Sequence, residues 1–350
     1  VRRRRRAAGR MILLAGTVLP LGALEIRLDD PRLEYSGFVS KTFVEGPRRN
    51  QRMTFSRRIP HRNHLEHDNP GGRIRLKTDS RSIRVKVRYN GLHHPDVPLE
   101  STGIFLIDGE FKPENTFTVD NRKRTRYFRK DLSFRIPADG AMHEYEVILP
   151  SGDSVELLGI SVSDRAKFGN VKPFEKRIVL YGDSIAQGGV LQAVQNSFSY
   201  LLGRAGNWDV VNVAMADTLL TPWHAEFLAP LKMDLLLVMT GTHDWKSGTP
   251  VAVFKKNLER FVQIFRKKQP ETPIVLVTPL KDGSSTAPYR KAMQSFGKEH
   301  SIRVIDGTAL LPSDSFFSRD RILPNEAGAA ELARKLSKLL FPDGRAGNEK

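Results

Sequence analysis

The feature that most limits what this chain can fold into is a change of hydrophobic period near residue 170. Before it the pattern alternates. Ser82-Ile-Arg-Val-Lys-Val-Arg-Tyr89 places Ile83, Val85, Val87 and Tyr89 on one face and Arg84, Lys86 and Arg88 on the other. That is the two-residue repeat of a half-buried strand. Segments 73–77, 103–107, 132–136, 144–149 and 155–162 read as further short strands, with Asn90-Gly91, Asp108-Gly109 and Asp139-Gly140 as turns between them. Many short strands without a helical stretch predict an all-β sandwich or jelly roll.

After Lys172 the grammar differs. Segments 177–181, 209–213, 234–240, 273–278 and 302–305 are short and almost wholly apolar, as strands buried on both faces must be. Between them, Val251, Phe254, Leu258, Phe261, Val262 and Phe265 form a helical stripe, and Ala329, Leu332, Leu336 and Leu339 form another over 325–341. Strands alternating with helices predict a five-stranded parallel sheet covered on both sides, with chemistry at the carboxyl ends of its strands. The expected organisation is a leader over 1–24, a β-sandwich over 25–170, an α/β domain over 171–342 and a tail over 343–350.

Composition narrows the function classes. The chain has 350 residues and no Cys, which excludes disulfides, thiolate metal sites and a cysteine nucleophile. Its net charge of +17 points to an anionic partner. Six of those charges are Arg2–Arg6 and Arg10, ahead of the apolar run 11–24. This run is too short to span a bilayer but suits the core of an export signal. The other reading is an upstream extension of a chain that starts at Met11. The body is mildly basic in both halves, with clusters at Arg48, Arg49, Arg52, Arg57 and Arg58 and along 122–130. Tyr127 and Phe128 in the latter could stack on bases or sugars, but no nucleic-acid fold signature surrounds them, and a solvated hairpin is the favoured reading. No nucleic-acid partner, membrane insertion or cofactor is expected.

At the strand ends stand Gly182-Asp183-Ser184, then Asn212-Val-Ala-Met-Ala216-Asp217, then Gly241-Thr-His243-Asp244, and finally Asp320-Arg-Ile-Leu323 ahead of the last helix. A Ser on a tight strand-to-helix turn presents its hydroxyl at the sheet edge, with N–H groups and a helix dipole facing a developing oxyanion. It is not a G-x-S-x-G elbow, because the fifth position is Ala186.

These four blocks over about 175–341 resemble the SGNH (GDSL-type) hydrolases, which are esterases and acyltransferases on a flavodoxin-like fold. Residues 30–37 and 71–79 resemble the N-terminal sandwich of some carbohydrate esterases and related acyltransferases. The resemblance implies Ser184 as nucleophile and Asp320 as triad acid. Ala216 stands where the family has an oxyanion-donating Gly, and His243 where it has an oxyanion-donating Asn. Asp183, Gly241 and Asp244 would line the oxyanion and substrate site. Leu323 stands where the family has its catalytic His, three residues after the Asp. Without a base a Ser hydroxyl at neutral pH is not a nucleophile.

A replacement must come from nine histidines, none of them after residue 300. His300 sits at the amino end of the sheet and His224 beside the second helix. His243 is the expected base to Ser184, oriented by Asp320 or Asp244; its other readings are an oxyanion donor or a bystander. His61, His64 and His67 lie in a Pro- and Gly-flanked loop. The readings there are a solvated loop, a metal site, or a loop that lends the second domain a histidine. No metal is assigned. The expectation is an exported esterase or acyltransferase acting on acyl groups of an acidic carbohydrate, against an inactive glycan-binding or scaffold protein of the same fold.

Overall fold

The computed structural model describes residues 22–341 except 48–49, 57–58, 61–69, 91–99, 121–128, 151–153, 189–190, 192 and 282. The segment up to residue 21 that the sequence suggests as an export leader, four of the five arginines of the first basic cluster, the aromatic pair Tyr127 and Phe128, and His61, His64, His67, His93 and His94 lie outside the described residues.

The alternating half builds twelve strands among the described residues: β1 Ala23–Ile26, β2 Glu34–Ser36, β3 Ser40–Glu45, β4 Gln51–Ser56, β5 Arg73–Thr78, β6 Ile83–Asn90, β7 Glu100–Ile107, β8 Thr116–Asp120, β9 Arg129–Ile136, β10 His143–Ile148, β11 Ser154–Ser163 and β12 Phe168–Gly169. They form two antiparallel six-stranded sheets. One runs β3-β4-β11-β6-β9 with β1 on β11, and the other runs β12-β5-β10-β7-β8 with β2 on β5. Ile83, Val85, Val87 and Tyr89 are fully buried in the core between the sheets, as the alternation requires. Asp108 and Gly109 both take positive φ, at 51° and 78°, and close the turn whose exchange of N–H···O bonds joins Ile107 to Glu110. β1 begins at Ala23, so Ala23 and Leu24, assigned to the leader by sequence, pair with Ser163 and Val162 of β11.

The second half builds β13 Lys176–Gly182, β14 Trp208–Asn212, β15 Leu235–Met239, β16 Ile274–Val277 and β17 Arg303–Ile305. All are parallel, in the order β14-β13-β15-β16-β17, which is the flavodoxin-like order. The helices are α1 Ser184–Gln187, α2 Phe198–Gly206, α3 His224–Leu228, α4 Thr242–Lys246, α5 Val251–Arg266, α6 Ala287–His300, α7 Gly307–Leu310 and α8 Glu326–Leu340. Successive strand residues face opposite layers. Val179, Tyr181, Leu236 and Val238 pack with α3, α5 and α6, whereas Ile178, Leu180, Leu235 and Leu237 pack with α2 and α8. The stripe on α5 is buried at Phe254, Leu258, Phe261, Val262 and Phe265. Each such side chain contributes roughly 1.5–3 kcal/mol of burial, so Phe261→Ala alone would cost about 3–5 kcal/mol.

The β5-β10-β7 face turns towards the second half. Ile104, Leu106 and Ile148 pack with Val194 and Tyr200 there. Beside them the buried Arg73 guanidinium meets Glu146 at 3.1 Å and lies over the Phe174 ring. Arg75 bonds Glu34, Glu144 and the Lys172 carbonyl. Asp209 on β14 accepts from Gly37 N–H at 2.6 Å and from Arg177 Nε at 2.7 Å. Among the described residues no helix is long and apolar enough to cross a membrane.

Candidate active site

The carboxyl end of β13 is shaped by three adjacent residues with separate tasks. A Cβ on Gly182 would lie 2.0 Å from the Met239 carbonyl oxygen, so only glycine lets β13 and β15 close at this point. Asp183 caps α1, accepting the Ile185 N–H on Oδ1 at 3.0 Å. Its other oxygen accepts the His243 N–H at 3.1 Å, tying the start of α4 to the start of α1. Ser184 is then the first residue of α1, half-buried at the sheet edge.

Burial pushes the Asp183 carboxyl up to about 6, against the pull of the Ile185 and His243 N–H groups. Asp244, fully buried, is likewise pushed up to about 6 by burial, opposed by the Leu220 N–H and the Thr240 hydroxyl. Asp244 accepts from Leu220 N–H on both oxygens at 3.3 Å. These two carboxylates hold loops in place from beneath the rim. Gly241 caps α4 with φ of 99°, a left-handed conformation that favours glycine.

The end of β14 is drawn in by side-chain amides. Asn212 Nδ2 bonds the Ala186 carbonyl at 3.0 Å while its Oδ1 takes the Ala214 N–H. Gln187, at the end of α1, places Oε1 2.6 Å from the Ala216 nitrogen and accepts that N–H. The donor that the family pattern assigns to an oxyanion thus already holds a carboxamide oxygen. Asp217 follows in a left-handed conformation with φ of 59°, uncommon for a residue with a Cβ.

The His243 ring is mostly buried. Its Nδ1 stands 3.8 Å from Asp217 Oδ1, and Nε2 stands 3.1 Å from Ser247 Oγ. The carboxylate beside His243 is therefore Asp217, which the sequence reading did not single out. Asp244 is committed to Leu220 and Thr240. Asp320 Oδ1 is committed to its own loop, accepting from Ser318 Oγ and from the Ile322 and Leu323 N–H groups. Burial works upward on the Asp320 carboxyl, but these hydrogen bonds and the nearby Lys246 hold it below the usual range. Lys246 ends α4, so Asp320 and His243 reach the same rim. Among the described residues no hydrogen bond joins Ser184 Oγ to an imidazole.

Leu323 is buried in the apolar cluster that also contains Ile185, Leu280 and Phe317. The position at which the resemblance implies a base is therefore part of the core. His224 is also internal: its Nδ1 shares a 2.8 Å hydrogen bond with the Tyr181 hydroxyl. His143 belongs to the sandwich, between Asp108 and Asp139. Among the described residues no group of His, Asp and Glu could hold a metal ion.

Residues 180–331 match the model of the GDSL-like lipase/acylhydrolase family. The matched residues run from β13 into α8, so the likeness to that family lies in the second half of the chain, hereafter the GDSL-like domain. No curated protein matches the chain in sequence. Among solved structures, a salicylyl-acyltransferase, SsfX3, from a tetracycline biosynthetic pathway is 22% identical with a TM-score of 0.76, over 92% of this chain and 99% of its own. A family two carbohydrate esterase from Cellvibrio japonicus is 14% identical with a TM-score of 0.65, over 91% and 97%. An acetyl xylan esterase, Est2A, from the rumen bacterium Butyrivibrio proteoclasticus is 11% identical with a TM-score of 0.59, over 87% and 98%. At these identities the likeness is one of fold. It extends through the sandwich, so the pairing of a β-rich half with a GDSL-like domain is shared.

Proposed function

We propose that this protein is a serine esterase or acyltransferase acting on O-acyl groups, acetyl foremost, of a carbohydrate outside the cytoplasm. The observation that carries this reading is the placement of Ser184 at the N-terminus of α1, with the backbone of His243 fastened beside it through Asp183. Ser184 Oγ attacks the acyl carbon and gives its proton to His243. The carbonyl oxygen, now negative, is held by the Ser184 and Ala216 N–H groups once the Gln187 oxygen has left. The carbon–oxygen bond to the sugar then breaks, and the sugar oxygen takes the proton from His243. Water or a second hydroxyl releases the acyl group from Ser184 by the same steps in reverse. For the first of them the His243 ring turns from Ser247 towards Ser184, with Asp217 as the carboxylate that meets its cation. Asp320 fixes the loop that closes the rim.

Carbohydrate esterases among the structural neighbours support the substrate class, and the arginine-rich leader followed by an apolar run supports export. The test is hydrolysis of acetylated xylan or a chromogenic acetyl ester. Turnover that disappears in Ser184→Ala is expected; turnover that persists in that variant contradicts the reading.

A second reading has its own observation. Leu323 in the core and a carboxamide oxygen on the Ala216 N–H are what a non-catalytic glycan-binding or scaffold protein would show. It predicts no Ser184-dependent turnover of any ester.

A further inference from the structure

One sheet of the sandwich is spent on docking to the GDSL-like domain, and the other presents its outer side away from that contact. On this outer side the antiparallel ladder places Arg84 of β6 directly opposite Arg135 of β9, with Lys86 two residues along from Arg84. Side chains at such paired positions have Cβ atoms about 5 Å apart, and like charges there are destabilising. Among the described residues, no carboxylate is paired with Arg84, Lys86 or Arg135. The next acid in that row, Glu25 of β1, stands opposite Ser161 of β11, and its carboxylate reaches over Gly159, the residue opposite Lys86, without forming an ion pair with the trio. One edge of this trio is bordered by polar groups: Arg88 bonds Asp131 through two nitrogens, and Glu156 lies within 4.0 Å of Arg52, Arg88 and Arg129.

We propose that this face of the β3-β4-β11-β6-β9 sheet binds a carboxylated polysaccharide, with Arg84, Lys86 and Arg135 as the cations that take its acid groups. The pairing of Arg84 with Arg135 costs stability without a ligand and gains a bridging partner with one, because a guanidinium receives a carboxylate in two parallel hydrogen bonds. A glycan fits this face better than the other polyanions. Single-stranded nucleic acid is held by exposed aromatic rings on which bases stack, and the ladder positions around the trio carry Asn90, Asp131, Ser133 and Glu156 instead. A membrane surface is held by inserted apolar side chains, whereas the apolar residues of β6 all point into the core. Asp131, Asn90 and Ser133 offer acceptors and donors to sugar hydroxyls, which a lipid acyl region would leave unused. The inference concerns binding alone and does not depend on the proposed reaction.

The test is affinity electrophoresis of the full chain in polygalacturonate, with dextran as neutral reference and single-stranded DNA and phosphatidylglycerol vesicles as competing anions. The combined variant Arg84→Thr, Lys86→Thr, Arg135→Thr is compared with Lys256→Gln, Lys268→Gln, Lys298→Gln (the helical variant), which removes the same charge from exposed positions on α5, in the turn after it and on α6. The sheet variant is expected to lose about tenfold or more in polygalacturonate affinity and to flatten its salt dependence, while the helical variant changes less than about twofold. Removing the like-charge pair is expected to leave the melting temperature unchanged or higher. Equal losses in the two variants, no retardation beyond dextran, or tighter binding of DNA or vesicles than of polygalacturonate would each overturn the proposal.

Discussion

At the residue scale the chemistry turns on Gln187 and Leu323, neither of which is a catalytic group. Leu323, where the resemblance implies a base, is packed into the apolar core. Gln187 holds the Ala216 N–H, the oxyanion donor of the proposed reaction, at rest. A neutral hydrogen bond of this kind is worth about 1 kcal/mol net, so Gln187→Ala is expected to raise kcat/KM for an acetyl ester about fivefold. Most of the gain would fall on KM, because the ester carbonyl no longer competes with the carboxamide. An unchanged KM would mean that Gln187 leaves Ala216 before substrate arrives. The places of Ser184, Ala216 and His243 at the carboxyl ends of β13, β14 and β15, and of Asp320 ahead of α8, were legible from the apolar strands and the helical stripe around them. Asp217 and Gln187 were not, because their part depends on a left-handed backbone and a side-chain reach that no spacing rule encodes. The one available signal was an Asp immediately after Ala216.

At the element scale, the short α1 and α4 are held together by a buried carboxylate. The folded-state value of Asp183 is about 6 against 3.8 in an unfolded chain. The native state therefore keeps this proton longer. Its contribution to stability is fully present below about pH 4 and is lost as the pH rises through about 6, on the order of 3 kcal/mol. Asp183→Asn has no such titration, so its stability deficit relative to wild type should narrow between pH 4 and pH 7 in denaturant titrations. A deficit that widens over that range would reverse the assignment. Element types were readable where period and length agreed, as in β6, α5 and α8. β3, β4 and β8 were missed because Ser, Thr, Lys and Glu interrupt their apolar residues, and pairing to neighbours rather than local preference makes them strands.

At the scale of the whole molecule, the two halves meet through a buried, charged seam that composition could not reveal. Summed charge described both halves as mildly basic, yet Arg73 and Arg75 are internal and neutralised by Glu146, Glu34 and Glu144. Glu146→Ala would leave Arg73 buried beside an empty partner position and is expected to cost roughly 3 kcal/mol. Calorimetry should show the loss in a single transition, since the seam belongs to both halves. A sandwich that melts separately with the second half unaffected would contradict that. The central claim is that Ser184 is the nucleophile and His243 its base. Intact-mass measurement after reaction with a fluorophosphonate tests it most directly. The account predicts one covalent adduct on the wild-type chain, none on Ser184→Ala, and labelling slowed at least about a hundredfold in His243→Ala. A wild-type chain that takes no adduct, or a His243→Ala chain that labels at the wild-type rate, would contradict it.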